Sequence, residues 1–259
     1  EELRQSLASR DGWEVQRDGD GIRVLYQDHA SGFVRIRLEA EVDAPLFDVL
    51  ALLKEIGLWH CWVPSFAGVG LADASQLGQT SIMNMCFRTR ISLPWPISDR
   101  AITYAVDGID CMDEEDAPQQ VAILLDSRRA QENCSEPLDI PDRNLSSKQP
   151  VEISLVDSGV IITPAEIAGT EHTLLQAIAV VDPKMRVPRW LVNLAVRNCC
   201  FLFAVQIQRA VAVTRSAAYL RVTTDPSNQF WAFIRRRMAE SLPTQLALAP
   251  PLAKAGSID

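Results

Sequence analysis

The chain has 259 residues, 47% of them apolar, and a net charge of −8 with a pI near 5.0. That length and apolar content suit one sizeable globular core. The acidic balance argues against nucleic acid as a partner, because neutralising phosphates needs a basic surface. The six cysteines (Cys61, Cys86, Cys111, Cys134, Cys199, Cys200) contain no C-x-x-C pair and accompany no secretory signal. They read as reduced thiols, which points to the cytoplasm, with a peripheral position at an organelle membrane as a further expectation. No uninterrupted apolar run reaches the roughly 18–20 residues of a membrane span. A start at Glu1 without methionine leads to the expectation of additional domains upstream.

Leu3–Ser9 reads as a short helix. Three strands follow at Trp13–Arg17, Ile22–Tyr26 and Phe33–Val42, separated by Asp-Gly and Ser-Gly turns. In the third, Val34, Ile36, Leu38, Ala40 and Val42 alternate with Arg35, Arg37, Glu39 and Glu41, the period of a strand with one face in the core and one in solvent. Asp43-Ala44-Pro45 opens a helix over Leu46–Ile56. Trp59, His60, Cys61 and Trp62 come next. His60 and Cys61 are not expected to act as a pair, because sequence neighbours rarely face each other. Further strands are predicted at Gly68–Asp73, Thr80–Ser92, Ala101–Asp110, Val121–Arg128, Gly159–Ile167 and Thr173–Asp182, which makes the sheet large and antiparallel. Between the fifth and sixth lies PWPISDR, 94–100, a rigid loop that displays Trp95. Asp113–Asp116 reads as a solvated hairpin tip, and polar Ala130–Pro150 as a loop.

From Pro188 a long helix is predicted. Steps of 100° place Leu191, Leu194, Ala195, Cys199, Leu202 and Val205 on an apolar face, with Asn198 inside it. After Arg215 a C-terminal extension, 216–259, contains a short amphipathic helix in which Phe230, Trp231 and Phe233 accompany Arg235–Arg237. That composition suits a membrane surface, or packing against the domain. Deletion beyond residue 224 is then expected to spare the fold. Ala247–Asp259 reads as disordered.

Two of these stretches carry a family resemblance. VDPKMRVPRWLVN, 181–193, is similar to the tract that opens the C-terminal helix of the START (steroidogenic acute regulatory protein-related lipid transfer) family, nearest to its phosphatidylcholine-transfer branch. PWPISDR is similar to that family's turn between strands five and six. Lys184 and Met185 stand where the family has glycines. The resemblance covers residues 1–215 and implies an α+β helix-grip fold: a curved antiparallel sheet of about nine strands around a long C-terminal helix, with an internal hydrophobic tunnel for one lipid. It implies lipid binding or transfer without catalysis, no cofactor apart from the bound lipid, and transient contact with a membrane surface. The alternatives are a ligand-regulated sensor or interaction module of a larger protein and, behind it, a START-like hydrolase or cyclase. No G-x-S-x-G elbow, glycine-rich phosphate loop or H-E-x-x-H stands in the chain.

On this reading the tunnel is lined by Met83, Asn84, Met85, Arg88, Leu191, Leu194, Ala195, Asn198 and Leu202, and its mouth carries Trp95, Trp190 and Trp231. Alternation along Thr80–Ser92 leaves two faces open as the inner one. If Asn84 and Arg88 point inward they suit a phosphate or carboxylate headgroup. If Met83 and Met85 do, the lining is apolar and adaptable, and Arg88 is a surface residue. Arg100 is expected to pair locally with Asp99.

Overall fold

The computed structural model describes residues 1–28, 32–114, 118–133, 149–167, 169–184, 190 and 193–241. Nine strands form one sheet: β1 (Glu14–Gly19), β2 (Ile22–Asp28), β3 (Val34–Val42), β4 (Gly70–Gln79), β5 (Asn84–Ser92), β6 (Arg100–Cys111), β7 (Gln120–Asp126), β8 (Val151–Ile167) and β9 (Thr170–Asp182). Their spatial order is β1-β2-β3-β9-β8-β7-β6-β5-β4, every neighbour antiparallel. β8 is so much longer than β7 that its first residues, 151–153, pair parallel with β6 at 100–102. The sheet bends through irregularities at Val15/Arg17, Leu71/Asp73, Gln76/Gly78 and Val156/Gly159. At the last of these Asp157 has φ 45°, and a Cβ on Gly159 would lie 2.7 Å from both the Ile123 carbonyl and a Leu3 methyl, so only glycine lets these elements approach.

The inner face packs against helix α2 (Leu46–Lys54), a 3₁₀ turn at Ile56–Cys61, and the closing helix. That helix has π geometry over Asn193–Cys200 and continues as α4 (Phe201–Ala210). The outer face is covered by α1 (Glu2–Ala8), whose Leu3 and Leu7 pack with Trp13, Cys111, Ala122, Ile161 and Ile178. α3 (Ser127–Asn133) also lies against the sheet, where Ala130 meets Cys86 and Ala105. The start of the expected loop at Ala130–Pro150 is thus helical, and 134–148 lie outside the described residues.

The charged face of β3 is not solvated. Arg37 and Glu39 are 2% and 1% exposed, and Arg23 on β2 is 5% exposed. Glu39 pairs with Arg37 and, at 3.5 Å, with Arg23, while Arg37 donates to the Ser9 carbonyl at 3.0 Å. The chain after α1 lies over this face, so the alternation of β3 separates a buried apolar face from a buried ionic one.

A second departure concerns residues 216–241, expected as an extension. α5 (Ala217–Thr223) and α6 (Gln229–Ser241) belong to the main core, with Tyr219 and Trp231 fully buried. Trp231 Nε1 donates to Glu55 at 2.8 Å and its ring lies 5.1 Å from Phe47. Trp62 Nε1 donates to the Tyr219 hydroxyl at 3.1 Å. Arg237 ties α6 to Asp110 and Asp113 at 2.6 Å each. The aromatics of α6 therefore face the domain, and 242–259 lie outside the described residues.

Lys184 takes φ 52° where glycine would be at ease. The Asp182 carboxylate stabilises this turn by accepting from the Lys184 N–H at 3.0 Å and its Nζ at 2.5 Å. Those hydrogen bonds hold the Asp182 pKa below its ordinary value. Cys86 is disulfide-bonded, unlike the free Cys61, Cys111, Cys199 and Cys200. The expectation of six reduced thiols therefore fails at Cys86.

Trp231→Ala is expected to lower unfolding free energy by about 3–5 kcal/mol in urea titrations. Truncation after Thr224 is expected to abolish cooperative unfolding, in contrast to the sequence expectation. A truncated chain that unfolds cooperatively at the wild-type midpoint would contradict the packing of α6.

Candidate functional site

The register of the sheet decides which side chains face inward. On β5 these are Met85, Phe87, Thr89 and Ile91, opposite Val106, Tyr104, Ile102 and Arg100 of β6. Phe87 and Tyr104 meet edge-on at 6.1 Å, and Met83, just before β5, packs on the same core. The inward residues of β7, β8 and β9 include Ile123, Val160, Ala177 and Ala179. These four belong to the middle strands and pack toward the main core, yet they are only half-buried. Toward the end where β3 starts and β9 stops, Val34, Ile36, Val151, Val181 and Ile91 are likewise half-buried. At the opposite end, under α2, Ala40, Val42, Ile162 and Leu175 are closed off at 2% exposure or less. The inner face is thus sealed at one end and incompletely filled toward the other.

Few polar groups stand on this face. Burial pushes the Tyr104 hydroxyl well above its ordinary pKa, opposed by a hydrogen bond with Thr89. Arg100 is 8% exposed, and burial lowers its pKa. Its Nη1 donates to the Ser98 carbonyl at 2.5 Å, whereas Asp99 receives Arg90 through Nε at 3.0 Å and Nη2 at 2.9 Å. The local Asp99–Arg100 pair expected from the sequence is therefore replaced by Asp99–Arg90. The signal was present in the alternation, since Arg100 shares the phase of Ile102, Tyr104 and Val106.

Asn84 and Arg88 do not line the interior. Both are on the outer face, where Asn84 bonds Ser81 and Asp107, and Arg88 grips Glu152 with contacts of 2.5 and 3.1 Å. Met83 and Met85 occupy the inner face in their place. On the closing helix the buried positions are Val196, Phe201, Ala204, Ile207 and Ala210. Asn198, Leu202 and Val205 form a half-buried stripe that continues to exposed Arg209, and Leu194 is also half-buried. The π segment shifts the phase that uniform 100° steps assign, so Asn198 and Leu202 fall away from the buried side. Leu191 and the side chain of Ala195 lie outside the described residues.

Among the aromatics assigned to the mouth, Trp95 is 91% exposed and Trp190 52% exposed, whereas Trp231 is sealed in the core. Trp95 is held out by a turn in which Ile97 N–H donates to the Pro94 carbonyl at 3.0 Å and Pro94 packs on Gly68. This turn joins β5 to β6 at the incompletely filled end of the sheet. Residues 183–241 carry ten Lys or Arg against two Asp or Glu, within a chain of net charge −8. Of these, Arg197, Arg209, Arg215, Arg221, Arg235 and Arg236 are exposed. Val196–Arg215 is long and apolar enough to cross a membrane, by length and composition only.

A groove of about 1000 Å³ also runs beside α1 on the outer face. Its lining includes the Arg4–Glu114 pair, Asp126 and Arg129, charged groups unlike those of the inner face. Among the described residues no group of three His, Cys, Asp or Glu is placed to hold a metal.

One curved antiparallel sheet closed by a C-terminal helix defines the helix-grip class. The fold is that of START domains. Human STARD10 superposes with a TM-score of 0.64 at 16% identity, over 90% of this chain and 85% of that one. Human StAR-related lipid transfer protein 5 gives 0.62 at 18% identity, over 83% and 93%. A fragment of the STAR-related lipid transfer protein from Xanthomonas axonopodis gives 0.53 at 20% identity, over 78% and 99%. No family model matches the chain, and no curated protein does.

Two substitutions separate the faces. Arg88→Ala is expected to cost less than about 1 kcal/mol, because Glu152 is largely exposed, and to leave uptake of a fluorescent phospholipid unchanged. Ala179→Phe is expected to fold with little loss and to abolish that uptake. A cost of about 1–3 kcal/mol with uptake intact would mean that side chains already fill the interior.

Proposed function

We propose that the chain is a lipid-binding protein that holds one hydrophobic ligand, a phospholipid, sterol or similar molecule, between the sheet and the closing helix and exchanges it at membranes. The observation that carries this reading is the half-burial of Ile123, Val160, Ala177 and Ala179 on the middle strands of a nine-stranded sheet. Interiors are normally close-packed, and apolar side chains left half-covered in the centre of a fold imply space for another apolar body. The names of the superposed proteins favour the same reading, since two of them are called lipid transfer proteins.

The residues divide the work. Met83, Met85, Phe87 and Ile91 offer a deformable apolar wall. Arg100 and the Tyr104–Thr89 pair stand where a polar headgroup would meet hydrogen-bonding partners. Trp95 enters the interfacial layer of the membrane, where an indole is favoured. The arginines of residues 183–241 orient the helical side of the molecule toward anionic lipid, each adding about 1 kcal/mol when close to the surface. The acidic remainder of the chain disfavours the opposite orientation.

Transfer of a fluorescent phospholipid between vesicles tests this proposal. Trp95→Ala is expected to slow transfer several-fold while the protein still binds lipid. Raising salt is expected to slow transfer to anionic acceptor vesicles more than to neutral ones. Wild-type protein that binds lipid but does not accelerate exchange would contradict a transfer role, and an unchanged rate in Trp95→Ala would contradict the role given to Trp95.

A further inference from the structure

His60 and Cys61 close the 3₁₀ turn between α2 and β4, and in contrast to the sequence expectation they face each other. Cys61 Sγ lies 3.4 Å from His60 Nε2, and His60 Nδ1 lies 2.8 Å from the Gly57 carbonyl. A carbonyl only accepts, so Nδ1 carries the proton of the neutral ring and Nε2 presents its lone pair to the thiol. This is the order of a nucleophile, a base and a group that orients the base. Both side chains are exposed, so a small reagent has access. The turn itself is pinned on both sides: Trp59 Nε1 donates to the Leu52 carbonyl at 2.9 Å and Trp62 Nε1 to the Tyr219 hydroxyl at 3.1 Å.

The surrounding groups leave the imidazole as the proton acceptor. Lys54 and Glu55, at the end of α2, pair with each other at 3.0 Å. The Tyr219 hydroxyl on α5 keeps its proton, since burial pushes its pKa up to about 12. β4, which packs against the turn, carries one charged residue, Asp73.

We propose that Cys61 is a modification site for soft carbon electrophiles of the α,β-unsaturated carbonyl class, with His60 as the base that takes the thiol proton. Sulfur forms the new C–S bond at the β-carbon. The C=C π pair shifts to the α-carbon, which receives the proton that His60 Nε2 removed. Nothing is oxidised and no group leaves. The other free thiols serve as internal controls, because burial raises the pKa of Cys111, Cys199 and Cys200, the last to about 12.

The test is the rate of N-ethylmaleimide addition to each cysteine of the full chain, read by peptide mass spectrometry from pH 7 to 10. At pH 7 Cys61 is expected to be labelled before Cys111, Cys199 and Cys200. His60→Gln, which keeps a polar side chain but no base, is expected to slow Cys61 labelling about tenfold at pH 7. That difference is expected to vanish near pH 10, where hydroxide in the buffer takes over proton removal from the base. Labelling of another cysteine first, rates within twofold at pH 7, or an equal slowing at both pH values would overturn the proposal, the last because it reports access instead of proton transfer.

Discussion

A nine-stranded sheet that curves over one helix presents more apolar inner surface than that helix covers. The remaining architecture answers this constraint. At one end the gap is closed by α2, the 3₁₀ turn, α5 and α6, whose largest side chains, Trp231 and Tyr219, have no exposure to solvent. At the other end no comparable layer stands among the described residues, and Val34, Ile36, Ile91, Val151 and Val181 are half-covered, while Ile153 and Leu155 beside them are buried. The proposed ligand fills what the chain does not.

Sealing one end is achieved with specific bonds as well as apolar contact. Each indole in that layer satisfies its N–H: Trp59 on Leu52, Trp62 on Tyr219 and Trp231 on Glu55. A buried donor without a partner costs on the order of 1–3 kcal/mol, so these pairings let large aromatic rings pack without that penalty. The outer face has a different solution. Arg23 and Arg37 share Glu39 beneath the segment that follows α1, with Arg23 also paired to Asp18 at 3.0 Å, and removal of Glu39 would leave the buried Arg37 guanidinium without its carboxylate.

Much of the fold was legible because period-two alternation and turn residues are local signals. The existence and order of the strands, α1, α2 and the displayed Trp95 follow from them, but β8 begins eight residues before the expected Gly159 and β4 runs six residues past the expected Asp73. Alternation gives two faces but not which one is inward, and that required the partner strands: the pairing of Met85 with Val106 and of Arg88 with Thr103 decides it. Charge also misled at β3, since a strand reads its own pattern and not what later lies across it. On the closing helix the expected face used α-helical steps, and the π segment at Asn193–Cys200 invalidates them. Trp231 next to three arginines has the composition of a surface helix, while its actual partners, Phe47 and Glu55, are more than 170 residues away in the chain. Arg100 and the basic character of 183–241 were readable from the sequence and were missed by weighing single motifs instead of phase and charge distribution.

The central claim is that the interior holds one lipid molecule. Native mass spectrometry of the purified chain after incubation with mixed phospholipid and sterol vesicles measures it directly. The account predicts a single mass increment corresponding to one lipid per chain, absent from Ala179→Phe. A chain that stays at its polypeptide mass under conditions in which it remains folded would contradict it.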